Sequence, residues 1–293
     1  MIRIFATVFA GVVGLAFGSF LNVCLSRWPA GESVVKPASH CRNCGRTLAW
    51  WENIPVLSWI ALRGRCRTCG VGIGWRYPLV ELAVGTLWAI AVWRNLGPSF
   101  EDLLHRAYPH LGCVPILLTL AFYWLLVALA FLDAENLWLP DWLTLPGIAL
   151  GLLNALLEAL FASRLFVMNH GLVYAMTYLV GGVIAAAGLI LLIRWIYWLV
   201  RRREGIGLGD AKLMAMLAAW LGLPGALLAF AIGIILGAVV GIAVLARPKR
   251  VDAEDASGLT KLPLGTFLCI GGIVSALWGQ AILTAYLRWA GFN

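Results

Sequence analysis

Apolar runs of about twenty residues recur along this chain, and they decide its fold class before any motif is read. A helix needs roughly that many consecutive apolar residues to cross the ~30 Å hydrocarbon core of a bilayer. Eight stretches qualify, near residues 3–25, 79–96, 114–132, 140–161, 171–198, 206–222, 224–246 and 264–288. Only 12% of the residues are charged, against about 25% in a soluble domain. The expected fold class is therefore an all-α polytopic membrane protein. No cleavable signal peptide is expected: the opening apolar run is long, lacks a small-residue cleavage site and leads into more chain.

The formal charge of +8 would suit a nucleic-acid partner in a soluble protein, but here the placement of charge matters more. With eight spans the loops alternate sides, so 26–78, 133–139, 199–205 and 247–263 share a face. That face holds Arg27, Lys36, Arg42, Arg46, Arg63, Arg65, Arg67, Arg76, the Arg201–Arg203 run, Arg247, Lys249, Arg250 and Lys261. Cytoplasmic loops carry such an excess. The basic face is read as cytoplasmic, both termini as external, and no nucleic acid is expected. The chain divides into a first helix (1–25), a polar cytoplasmic module (26–78), a second helix with an outer loop (79–113) and a six-span domain (114–293).

Within the module, Cys41 and Cys44 form one CxxC pair and Cys66 and Cys69 a second, with Gly45 and Gly70 following. Two such turns about twenty residues apart supply the four-sulfur tetrahedral set that zinc prefers. A redox pair and an iron centre are the alternatives, and a cytosolic setting argues against stable disulfides. Four cysteines leave no open coordination position, so the metal would staple a small domain rather than do chemistry. Cys24, Cys113 and Cys269 read as small apolar packing residues. "GVGIG" (70–74) follows a cysteine knuckle rather than a strand, which argues against a nucleotide loop.

Ionisable groups within spans cost about 2.5–3.5 kcal/mol each and usually mark function. "FLDAENLWLPD" joins the third and fourth spans and carries Asp133, Glu135 and Asp141, while Asp210 opens the sixth behind Gly205, Gly207 and Gly209. Helix capping would explain Asp141 and, alone, Asp210. A cap does not require three glycines, which suggest instead that a backbone or a substrate comes very close to Asp210. Lys212, two positions on, faces away from it along a helix. Two carboxylates held together share one proton, which suits water-mediated peptide hydrolysis. His40, His105, His110 and His170 are scattered, and neither Ser19 nor Ser58 has a histidine nearby in sequence, so no nucleophilic triad competes. Asp133, Glu135 and Asp141 also form an acidic island on a basic face, suited to drawing in a basic peptide.

These residues together resemble the bacterial type IV prepilin peptidases. "GLGDAKLMAMLAAW" is similar to their GxGDxK(L/M) motif, and "FLDAENLWLPD" to their Asp followed eight positions later by the Asp of an LPD turn. "GSFLNVCLSRWP" (18–29), the paired CxxC motifs, "WENIPVLSW" (51–59), "RYPLVELAVG" (76–85) and "LPLGTFLCIGG" (262–272) follow in family order. The resemblance implies an inner-membrane enzyme that cuts the basic leader from prepilins or pseudopilins and then N-methylates the new terminus with S-adenosylmethionine. Carried over, the aspartyl pair is Asp133 and Asp210, with Gly207, Gly209, Asp141 and Lys212 at supporting motif positions. Asn22, Arg27, Glu52, Asn53, Arg76 and Glu81 are the residues it offers for the methyl donor, and Cys41, Cys44, Cys66 and Cys69 for Zn2+. The chain departs from the pattern at "KLPLGT" (261–266), where the family more often has a variant of IPFGP. The stretch from Asp141 to Asp210 is also longer than usual. A proton- or cation-coupled transporter using the same acids, and a scaffold docking a partner through the module, are the competing readings.

Overall fold

The computed structural model describes residues 1–96, 114–165, 169–203, 207–246 and 262–291, with the side chains of 161–172 left aside. Gly205, Cys113, His105 and His110 lie outside the described residues. The described residues are helical, with no strand and only the isolated bridges His40–Thr47 and Arg65–Gly72. The helices are α1 (Ile2–Arg27), the short α2 (Leu57–Ala61), α3 (Arg76–Asn95), α4 (Val114–Asn136), α5 (Asp141–Leu165), α6 (Asn169–Arg201), α7 (Leu208–Leu245) and α8 (Leu264–Trp289). All but α2 and α3 are long and apolar enough to cross a bilayer. Helix α3 carries Arg76, Glu81 and Arg94 and is less apolar, but its 20 residues still span about 30 Å. The chain is a multi-pass membrane protein whose residues 1–128 and 129–293 form two compact units, the division falling within α4.

In the first unit α1 and α3 pack closely because glycine removes side chains where they cross. A Cβ on Gly14 would come within 2.9 Å of the Gly85 Cα, and one on Gly18 within 2.7 Å of the Glu81 Cα. Small residues four apart let backbones approach where the hydrophobic effect gives no drive between helices. Trp88 Nε1 donates to the Leu120 carbonyl at 2.9 Å, tying α3 to the start of α4. The opposite side of α1 presents Ile2, Ile4, Phe5, Val8 and Phe9 outward, as a lipid-facing surface would.

In the second unit the decisive feature is a break in α7. A straight helix of its 38 residues would be about 57 Å long, nearly twice the bilayer core. At Gly222 the backbone turns to φ 68°, ψ 171°, with Pro224 just beyond; the positive φ is open to glycine at little cost. Two arms result, which correspond to the sixth and seventh expected spans. The first arm runs parallel to α5: Lys212 pairs with Asp141, and eight residues further Trp220 Nε1 donates to the Gly147 carbonyl at 2.8 Å. The second arm runs antiparallel to α8, with Gly225 opposite Ser275, Ala229 opposite Gly271 and Gly233 opposite Leu268. The N-termini of α5, α7 and α8 therefore lie at one end, with the C-terminus of α4, as the alternating loops require.

Gly271 meets the second arm most tightly: a Cβ there would overlap the Ala229 carbonyl oxygen. Gly271→Ala should therefore cost about 1–3 kcal/mol by overpacking, read as a lower unfolding temperature in detergent. Leu287→Ala, on an exposed face of α8, should change it little.

Candidate functional site

Asp133 lies three residues before the end of α4, and Asp210 is the third residue of α7. Both are buried, 5% and 8% exposed. Gly207 precedes α7 in an extended conformation, and its N–H donates to Asp210 Oδ2 at 3.1 Å. A carboxylate at the third helical position reaching back to the N-cap N–H is half of a capping box. The capping explanation of Asp210 is thus correct as geometry, and it orients the carboxyl group rather than competing with a chemical role.

Asp133 is held from another helix. Its Oδ2 accepts the Thr266 N–H at 2.7 Å and lies 3.1 Å from Thr266 Oγ1. That hydroxyl is also 3.0 Å from the Ala130 carbonyl. Thr266 is the third residue of α8, so its N–H is one of the donors that a helix start leaves without a partner. Asp133 and Asp210 are within electrostatic reach of each other, and the buried Cys269 feels both. Leu139 ties the two turns together: a Cβ on Gly209 would lie 2.9 Å from Leu139 Cβ, and one on Gly265 2.9 Å from both Leu139 Cδ1 and Asp133 Oδ2.

Two sequence expectations change here. At Gly209 the close neighbour within the protein is the Leu139 side chain, which by itself requires glycine there. The acidic island is also smaller than expected. Asp133 is buried, and Asp141 forms an ion pair with Lys212 at 2.5 Å; Glu135 remains as an exposed carboxylate. Asp141 opens α5, but the first-turn amides of Leu143 and Thr144 bond to the Pro140 carbonyl. Lys212 does face away from Asp210. Thr266 and Leu139 were not singled out from sequence, although both lie inside segments carrying the family resemblance.

The four module cysteines gather into one cluster. Their sulfurs all lie within 4.8 Å of one another, and Cys41 and Cys69 Sγ are 3.8 Å apart. A tetrahedral zinc site with ~2.3 Å Zn–S bonds has sulfur–sulfur edges of about 3.8 Å, so the donor set fits that ion. Two turns of matching hydrogen-bond pattern build it. Cys41 N–H bonds to Arg46 O and Gly45 N–H to Cys41 O; Cys66 N–H bonds to Val71 O and Gly70 N–H to Cys66 O. Gly45 and Gly70 have φ of 70° and 67°. The N–H groups of Cys69 and Thr68 pull the Cys66 thiol down to about 6. Cys44 stands at about 11: the Arg46 N–H pulls it down, but desolvation and the neighbouring sulfurs of Cys41 and Cys69 outweigh that. Four sulfurs this close cannot all ionise without a cation among them.

The methyl-donor candidates fall into two groups. Glu52 is committed to structure: Arg46 grips it at 2.7 and 3.0 Å and the Ala49 N–H adds a third bond. Arg46 first, then that N–H, hold its carboxyl below the usual carboxylate range. Asn53 beside it is exposed. The others collect where α1 meets α3. Asn22 Nδ2 donates to the Tyr77 carbonyl at 3.0 Å, and its buried Oδ1 has no partner. Arg76 reaches Ser26 Oγ at 2.7 Å, and Glu81 accepts the Val56 N–H at 2.7 Å. Arg27 instead braces the module loop through the Ser33 and Pro37 carbonyls.

Comparison with known proteins matches both parts of this architecture. Residues 12–95 match the bacterial peptidase A24 N-terminal domain, and residues 120–242 the type IV leader peptidase family. A prepilin leader peptidase/N-methyltransferase of Myxococcus xanthus is 40% identical over 258 residues, covering 85% of this chain and 67% of the relative. Those of Stutzerimonas stutzeri and Pseudomonas aeruginosa are each 33% identical, covering 95% and 96% of this chain and 93% of each relative. No solved structure matches. With its matched domains in order and relatives aligned along most of its length, the chain belongs to the prepilin leader peptidase/N-methyltransferase family.

Proposed function

We propose that this protein cleaves the basic leader of type IV prepilins or pseudopilins at the cytoplasmic face of the bacterial inner membrane, and then methylates the new N-terminal amine. The observation that carries the peptidase half is the meeting of two buried carboxylates, Asp133 and Asp210, from helices far apart in sequence. Like charges this close share one proton. A water between them loses a proton to the ionised carboxylate and attacks the scissile carbonyl carbon, while the protonated one donates to the carbonyl oxygen. Collapse of that adduct breaks the C–N bond and passes a proton to the departing amine. No covalent enzyme intermediate is needed. A transporter reading would want such acids near mid-membrane, and these sit at helix ends.

The module cysteines Cys41, Cys44, Cys66 and Cys69 would hold a structural Zn2+ that closes the two turns on each other. For the methyl donor, the α1–α3 junction offers the unfilled acceptor Asn22 Oδ1 and the buried carboxylate Glu81. That pair suits a cationic, amine-bearing molecule such as S-adenosylmethionine, with Arg76 placed nearby to pair with its carboxylate. Bound, the donor supplies an electrophilic methyl group. Asn22, Glu81 and Arg76 would hold it in position.

Incubating the purified protein with a prepilin, with and without S-adenosylmethionine, scores the two activities separately. Asp133→Asn and Asp210→Asn should each lower cleavage about a thousandfold or more while leaving methylation of an already cleaved pilin intact. Full cleavage by either variant would reject the pair. Cys44→Ser should drop zinc, measured by elemental analysis, from about one ion per chain toward none, with methylation falling and cleavage less affected. Gly265→Ala, which pushes a methyl group onto Asp133 Oδ2, should slow cleavage while the protein still inserts.

A further inference from the structure

The two active-site carboxylates are not held alike. Asp210 takes a single hydrogen bond from its own helix start. Asp133 takes its bonds from α8: both the N–H and the hydroxyl of Thr266 reach Oδ2, with the Gly265 N–H beside them. We infer that Thr266 is the positioning residue of the peptidase: it holds the Asp133 carboxyl in place through Oδ2. The inference rests on the reading of Asp133 as a member of the catalytic pair.

The geometry supports this in three ways. The backbone N–H can only donate, so it anchors Oδ2 as its acceptor whichever member of the pair holds the shared proton. The hydroxyl stands between Oδ2 and the Ala130 carbonyl, at 3.1 and 3.0 Å. It therefore fixes the carboxyl against the last turn of α4 as well as against α8. Gly265 clears the approach, since a Cβ there would lie 2.9 Å from Oδ2. A carboxyl tethered through one oxygen cannot swing, and reaction geometry tolerates little misplacement. The neighbours facing Asp133 are Asp210 from α7 and Cys269 and Thr266 from α8. Lys212 is occupied by Asp141.

The test is Thr266→Val, which keeps the shape and the N–H but removes the hydroxyl, alongside Thr266→Ser, which keeps both donors. Loss of a hydrogen bond to a charged group is worth about a tenfold change or more. For Val, kcat for prepilin cleavage should fall about tenfold with KM within roughly twofold of the parent. Ser should restore most of kcat. Methylation of an already cleaved pilin should be unchanged in both, which separates misplacement of Asp133 from misfolding. Parental kcat in Thr266→Val, with Asp133→Asn inactive, would overturn the positioning role and leave the catalytic pair standing. Cleavage by Asp133→Asn would overturn the pair itself. A rise in KM at constant kcat would assign Thr266 to substrate binding and also overturn the inference.

Discussion

Every helix that begins in or beside a bilayer leaves its first N–H groups without acceptors, and lipid offers none. In this protein two of those needs are met by the two buried aspartates proposed as the catalytic pair. The start of α7 is closed by Asp210 through Gly207, and the start of α8 by Asp133 through Thr266. The acids are required to begin the helices well, and the helix starts are required to hold the acids still. The break at Gly222 and the glycine contacts between the second arm and α8 can be understood from that point. They return the chain so that both helix starts reach the same end of the unit.

Much of this was legible in the residues. Hydropathy marked the spans because each must supply about 30 Å of apolar length, and the divide it placed between 222 and 224 coincides with the break at Gly222 and Pro224. The carboxylate pair was legible because acids are rare in spans, and the cysteine cluster because its members are local. What escaped was long-range. Threonine near the start of an apolar helix reads as filler until its partner, Asp133, is seen 133 residues earlier in the chain. The glycine at 209 announced a close approach but not by what; Leu139 does so, from the loop that precedes α5. The acidic island dissolved for the same reason, since nothing local tells that Lys212 takes Asp141.

The module is organised by a different economy. It has few buried apolar residues, Cys66 among them, and relies on paired turns, on the Arg46–Glu52 bridge and on backbone carbonyls gripped by Arg27. Small domains with so little core commonly need a staple, a structural metal being one kind. Its polar contacts stabilise a shape rather than a reaction.

Asp133 acquires its donors only from α8, the last helix described. While the ribosome is still threading the chain into the membrane, both carboxyl groups are present but one lacks its anchor. The setting of Asp133 is therefore complete only once α8 has docked against the end of α4.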